Sequence, residues 1–263
     1  MLILIVAILS IPLADTHLYG PALSARNKTA KRVINGIPAP DGRVPWAGQM
    51  KAVEDNSNLN NCGVTIISTQ WLLTAAHCFY ENRESYPNQE RQILHFHIDR
   101  VIMHPSFQPD NLLNDIALIK LRSQIPIDGT LVAIASLPSD ESGNNIPEAG
   151  SLNYVVGWGC MQVGGSVVDR AQMIELRTNT QEECVNTFGQ DLINDVTRFC
   201  AGYFQQNRGV CPGDSGSGLM SFQTQVPMVV DIVSAGDKNR ASSLPAKFTR
   251  VAPFVSWIRQ YVG

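Results

Sequence analysis

The 263-residue sequence predicts an all-β, barrel-type domain that ends in one helix. Three observations carry that expectation. Short runs rich in β-branched and aromatic residues recur along the chain, Gly, Pro, Asn and Asp punctuate them, and only the end of the chain changes to a helical period. The clearest strands are Val64-Thr65-Ile66-Ile67, Trp71-Leu72-Leu73-Thr74, Ile116-Ala117-Leu118-Ile119, Tyr154-Val155-Val156 and Val229-Val230-Asp231-Ile232-Val233. Their side chains suit a pleated, half-buried surface. At the end, Phe254, Trp257, Ile258 and Tyr261 recur at i, i+3, i+4 and i+7 behind Pro253. That is the apolar stripe of a helix packed on the outside of a barrel, started by a residue of fixed φ.

Residues 2–13 are almost wholly apolar. The run is too short to span a bilayer and reads as a secretory leader, although Lys and Arg are missing ahead of it. Its end falls between residues 14 and 22, taken here as 20; a retained anchor is the alternative. The whole chain is 44% hydrophobic and 16% charged, with a net charge of −3. A chain without a basic run or surplus lacks the electrostatic footprint of a nucleic-acid binder. No second long apolar run follows the leader, so no membrane partner is expected for the mature form. Six cysteines in a secreted chain point to three disulfides. Asn27-Lys28-Thr29 is a glycosylation sequon. His95 and His97 alternate along one strand face, a spacing open to a metal pair, but a packing or surface role is the simpler reading and no metal or cofactor is expected.

Three short motifs carry the chemistry. They are Thr74-Ala75-Ala76-His77-Cys78, Asn114-Asp115-Ile116-Ala117-Leu118 and Gly213-Asp214-Ser215-Gly216. Each alone is an ordinary turn or strand end. Together they supply a base, a carboxylate and a hydroxyl. A serine hydroxyl is a poor nucleophile at neutral pH until a base of suitable pKa and fixed tautomer takes its proton. His77 is the candidate base, Asp115 its orienting group and Ser215 the nucleophile. Their chain order, His, Asp, Ser, separates them from subtilisins and α/β-hydrolases. From Val33 to the C-terminus the chain resembles the trypsin/chymotrypsin family of serine endopeptidases.

That resemblance implies two six-stranded antiparallel β-barrels with a C-terminal helix, His77 and Asp115 in the first and Ser215 in the second. It divides the chain into a leader (1–20), an activation propeptide (21–32) and a peptidase domain (33–263). Lys31-Arg32 before Val33-Ile34-Asn35-Gly36 implies cleavage after Arg32 by a trypsin-like protease. The Val33 ammonium would then pair with Asp214 and order the oxyanion loop, whose donors would be the N–H groups of Gly213 and Ser215. Two disulfides follow from the resemblance, Cys62–Cys78 and Cys184–Cys200. The other pair departs from it. Most members join the cysteine four residues before the nucleophile to one shortly after the Ser-Trp-Gly strand, and no cysteine follows Ser234-Ala235-Gly236. Cys160 instead follows Gly157-Trp158-Gly159, in a loop bordering the oxyanion region, so Cys160–Cys211 is expected; two free thiols are the alternative.

Specificity is read by position. Gly209 stands six residues before Ser215, where trypsins carry Asp; Val210 follows, and Ala246 is a further pocket position. No charge is evident there, and a buried substrate cation would lack a partner, so an apolar residue before the scissile bond is expected. Ser234 and Gly236 should offer backbone groups to an extended substrate, with Ala235 replacing the usual Trp. Arg240 and Lys247 could favour acidic substrates or simply face solvent. Ser217-Gly218 replaces the usual Gly-Pro, with only a local packing change expected. Between His77 and His104 the spacing is 27 residues, shorter than in the digestive members, so the calcium loop looks truncated and one strand missing or distorted. From His104 to Asp115 the spacing of 11 matches the family. The reading is a secreted, zymogen-derived, monomeric serine endopeptidase. Its partners would be protein or peptide substrates, an upstream activating protease and protein inhibitors. The alternative is a catalytically weak or inactive homologue that binds or regulates.

Overall fold

A computed structural model describes residues 2–7, 34, 36–40, 42–52, 61–80, 93–138, 146–223, 226–237 and 239–263. The expected propeptide with Arg32 and Val33, the sequon at Asn27 and the shortened loop after Tyr80 lie outside the described residues. The chain opens with β1 (Leu2–Ala7) and the two-residue β2 (Ile37–Pro38). The first barrel then takes β3 (Ala47–Ala52), β4 (Asn61–Ile66), β5 (Trp71–Thr74), β6 (Ile93–Met103) and β7 (Ala117–Leu121). The strands close in the order β1-β3-β4-β5-β7-β6, all neighbours antiparallel.

The apolar runs read from sequence are the walls of this barrel. Leu72, Leu73, Leu118 and Ile119 are completely buried, and Leu72↔Ile119 and Leu73↔Leu118 face each other across β5 and β7. The 11-residue β6 shifts register between Ile98 and Arg100, the kind of irregularity that lets a sheet bend round on itself. The structure seats Leu2–Ala7, the start of the expected leader, between β3 and β6 as the sixth strand. A β-branched apolar run is chemically fit for either role.

The second sheet uses β8 (Leu152–Gly157), β9 (Gln172–Arg177), β10 (Arg198–Ala201), β11 (Gly218–Ser221), β12 (Met228–Ala235) and β13 (Ala246–Arg250). Its order is β10-β13-β12-β11-β8-β9-β2. A bridge between Thr178 and Ala201, with Asn179 N–H to Cys200 O at 3.0 Å and Gly202 N–H to Arg177 O at 2.8 Å, draws the ends of β9 and β10 together. Six strands thus roll into the second barrel, and β2 adds a seventh to its rim through Ile37↔Met173. The expectation of six strands missed that arm.

Among the described residues there are three short α-helices: α1 (His77–Tyr80), α2 (Gln181–Phe188) and α3 (Val255–Val262). Thr180 caps α2 with a reciprocal bond from Glu183, which satisfies two otherwise orphan donors. In α3, Val255, Trp257 and Ile258 are buried in the first barrel's apolar cluster. Phe254 belongs to a 3₁₀ turn just ahead of the helix, and Tyr261 sits half-exposed with its ring 6.3 Å from Trp71. The stripe read from sequence is therefore a packing face.

Candidate active site

The site grows from the ends of β5 and β7. Thr74 ends β5, and its hydroxyl donates to Gly63 O at 2.8 Å, tying β5 to β4. The chain then turns through Ala75-Ala76 into the single turn α1, which begins with His77. Cys62–Cys78 fastens that turn to β4. On the other side, Asn114 adopts φ 55° and donates its side-chain N–H to Ser106 O at 2.8 Å. Asn tolerates the left-handed region better than most residues, and this twist aims Asp115 inward.

Asp115 and His77 meet with 0% and 1% exposure. The His77 backbone N–H donates to Asp115 Oδ1 at 2.8 Å, and Nδ1 lies 2.6 Å from Oδ2. Ser234, on β12 of the other barrel, donates its hydroxyl to the same Oδ2 at 2.6 Å. One buried carboxylate thus receives three bonds and locks the imidazole with its Nδ1 engaged. Nε2 is buried and has no hydrogen-bond partner among the described residues, so its bond to the Ser215 hydroxyl is not formed in this structure. Catalytic hydrogen bonds are often long before substrate arrives.

Ser215 is brought to this corner by packing. Gly63 N–H donates to Ser215 O at 2.7 Å. A Cβ on Gly216 would fall 2.2 Å from Thr74 Oγ1, so only glycine lets the loop approach β5. Gly213 holds φ 100°, and a Cβ there would sit 2.8 Å from Val167 and 3.0 Å from Gly159. The N–H groups of Gly213 and Ser215 have no protein partner among the described residues.

Asp214 points the other way, into the second barrel. Its carboxylate accepts from Gly159 N–H at 2.7 Å and Cys211 N–H at 2.8 Å. Burial nevertheless raises its carboxyl from 3.8 to about 6, the two amides opposing that rise. Ile34 is buried nearby, and its carbonyl accepts from Gly209 N–H at 3.3 Å.

A cavity of about 420 Å³ opens beside Ser215. Val210, Ser234 and Gly236 line it, with Ala235 at its wall. Gly209 and Ala246 are not among its lining residues. Gly209 packs against the Ala241 carbonyl, where a Cβ would come within 2.1 Å, and Ala246 sits in the core cluster behind Val210. Sequence reasoning missed Leu112 and Asp237, which also line the cavity. Asp237 places a carboxylate there, but Arg240 Nε donates to it at 2.7 Å, and this bond leads the causes that hold its carboxyl below the usual range. Arg240 is thereby committed to Asp237. Lys247 lies half-buried with Nζ 5.6 Å from the Phe188 ring, and burial lowers its pKa. The Ser234 hydroxyl was missed too; its signal was a polar residue closing an apolar strand. Ser217 is buried, its hydroxyl facing Gly63 and without a hydrogen-bond partner among the described residues.

All three disulfides form, including Cys160–Cys211. Cys62, His77 and Cys78 bring ligand-type atoms within 4.8 Å of one another, yet the sulfurs are bonded together and hold no thiolate to offer. His97 is exposed on β6. Among the described residues no helix is long and apolar enough to cross a membrane.

The fold agrees with comparisons to known proteins. A family profile described as Trypsin matches residues 33–258. The chain belongs to the trypsin family of serine-type endopeptidases. It is 29% identical over 256 residues to the CLIP domain-containing serine protease B4 of Anopheles gambiae, covering 88% of this chain and 70% of that protein. It is 27% identical to vitamin K-dependent protein C of Rattus norvegicus and to serine protease 56 of Mus musculus, each over 88% of this chain. It spans 52% and 39% of those two longer proteins. A solved structure described as "Structure of GrC" superimposes with a TM-score of 0.72 at 26% identity, over 86% of this chain and 97% of that one.

Proposed function

We propose that this protein hydrolyses peptide bonds through an acyl-enzyme on Ser215, with His77 as base and Asp115 as its orienting carboxylate. The observation that carries the reading is the fixed imidazole: Nδ1 is held at 2.6 Å by a buried carboxylate while Nε2 has no hydrogen-bond partner among the described residues. Ser215 Oγ attacks the scissile carbonyl carbon as its proton passes to Nε2. The tetrahedral oxyanion is received by the Gly213 and Ser215 N–H groups. Nε2 returns the proton to the leaving amine, leaving an ester on Ser215, and water repeats the sequence to release the acid. The lining of the cavity favours an apolar residue before the scissile bond, because Asp237 is already paired and no other carboxylate lines it.

The precursor reading is supported by the surroundings of Asp214. Cleavage after Arg32 would supply an ammonium at Val33, next to the buried Ile34, and a cation there would hold Asp214 ionised. The enzyme would be secreted with loss of residues 1–20, which takes β1 out of the first barrel and frees the edges of β3 and β6, activated by a trypsin-like protease, and act alone on proteins.

The alternative, a homologue that binds without cleaving, draws support from Ala235, which stands where the family usually has Trp. A fluorophosphonate probe separates the two. The processed wild-type protein is expected to be labelled and Ser215→Ala not; a correctly processed wild type that stays unlabelled overturns the enzyme reading.

A further inference from the structure

We infer that the Cys160–Cys211 disulfide is a positioning element for the oxyanion loop, joining covalently the two segments that together hold the Asp214 carboxylate. It extends the hydrolase reading above. Asp214 takes one amide from each segment: Gly159, beside Cys160, at 2.7 Å, and Cys211 itself at 2.8 Å. Cys160 N–H also donates to Pro212 O at 3.2 Å. The same turn bears directly on the oxyanion donor, since a Cβ on Gly213 would stand 3.0 Å from Gly159 Cα. A bond from Cys160 to Cys211 therefore fixes how far Gly159 sits from Gly213, and with it where the Gly213 N–H points.

The placement of the bond argues for this role over general stapling. Cys184–Cys200 joins residues 16 apart beside α2, whereas Cys160–Cys211 joins residues 51 apart, the second only four positions before Ser215. Both of its cysteines are buried, in one cluster with Ile34 and Ala241. Ala241 belongs to the segment after Gly236 where most of the family places the partner of this cysteine. Here that rim segment has no covalent tie among the described residues, and Asp237 holds it by bonds to Asn239 and Arg240. The covalent tie has moved from the rim of the cavity to the wall behind the oxyanion donor. Cys211 and Pro212 line the cavity as well, so one bond steadies both the donor and one wall.

The test compares three processed proteins: wild type, Cys160→Ala/Cys211→Ala, and the control Cys184→Ala/Cys200→Ala. Turnover of a peptide with an apolar residue before the scissile bond is measured with hydrogen–deuterium exchange over residues 155–165 and 209–217. Misplacing one oxyanion donor affects the transition state more than binding, and full loss of such a donor costs roughly 10²–10³ in kcat. The first variant is expected to lose about tenfold or more in kcat with KM within about twofold, and to exchange faster at Gly159 and Cys211. The control is expected to melt lower yet keep kcat and that exchange pattern. Where the Ala pair does not fold, Cys160→Val/Cys211→Ala refills the lost volume and faces the same criteria. Unchanged kcat and unchanged exchange overturn the inference, as does an equal kcat loss in the control. An inactive wild type would overturn the hydrolase reading instead, leaving exchange to decide the role of the bond.

Discussion

The two barrels treat the same cleft differently. The first fixes its groups early and completely: His77 and Asp115 are buried to within 1%, joined twice to each other, and pinned by Cys62–Cys78 at the end of a β-strand. The second presents Ser215, Gly213 and the cavity on connecting segments and carries two buried acids, Asp214 and Asp231, each with its carboxyl raised by burial. Asp231 lies on β12 opposite Arg250, and neither of its oxygens has a hydrogen-bond partner among the described residues. A base needs only a constant orientation, and the first barrel supplies one. On the nucleophile side burial disfavours the ionised form of both acids, so a cation brought beside either one would change its protonation state.

The strongest way to break the comparison is to remove one partner from each side. Ser215→Ala and His77→Ala are each expected to lower kcat by at least about 10⁴-fold, and the double variant to add little, because the two act as one unit. Additive losses would mean that the two barrels contribute separately. Melting temperature should change by no more than a few degrees for Ser215→Ala, which checks that folding is intact.

Next in size is the charge on Asp214. Its folded-state carboxyl titrates near 6 against an ordinary 3.8, so the folded chain binds the proton more tightly than the unfolded one. Stability of the uncleaved protein should be greatest below about pH 4 and fall as pH rises to about 6, by on the order of 3 kcal/mol from this group. Urea unfolding of Arg32→Gln across that range measures the slope, and adding Asp214→Asn should remove that share of it. A slope that survives Asp214→Asn unchanged would show that this acid is not its source.

Asp231 follows the same sign. In the same urea series Asp231→Asn is expected to leave acid stability nearly unchanged and to stabilise the protein increasingly as pH rises. Activity against a peptide should move little, since Asp231 does not line the cavity. The smallest effect sharpens the first barrel's side. Ser234→Ala removes one of three bonds to Asp115, and a loss of about 1.5 kcal/mol, roughly tenfold in kcat, is expected. Because Ser234 reaches across from β12, that number measures how far the second barrel steadies the first.

Much of this was legible in the sequence because its signals are local. Five of the strands, the turn at His77 and the turn that presents Asp115 are set by neighbours within a few residues, whereas the glycines around Ser215 were legible through the motif alone, since the groups that require them, Thr74 and Gly159, lie far along the chain. The cysteine pairs were legible through the resemblance. What escaped depends on partners far along the chain. That Ser234 meets Asp115 across 119 residues is a fact of barrel packing, not of either motif. That Asp231 is buried follows from its register against Arg250 and Leu219; in sequence it is one acid in an apolar run. Asp237 was passed over because a loop's direction decides which residues face a cavity. The seventh strand was hidden because two residues carry no period. The same apolar stretch, Leu2–Ala7, read as a leader and found as a strand, shows that composition alone does not choose between export and pairing.

The two-residue strand β2 has a kinetic consequence. Ile37 is clamped to Met173, and Ile34 is already buried with its carbonyl accepting from Gly209, so a chain start created at Val33 would lie one residue from a fixed point. One residue reaches about 3.3–3.6 Å. A terminus on so short a tether meets its partner at a concentration set by the tether alone. Its docking would therefore be a first-order event, independent of how dilute the protein is.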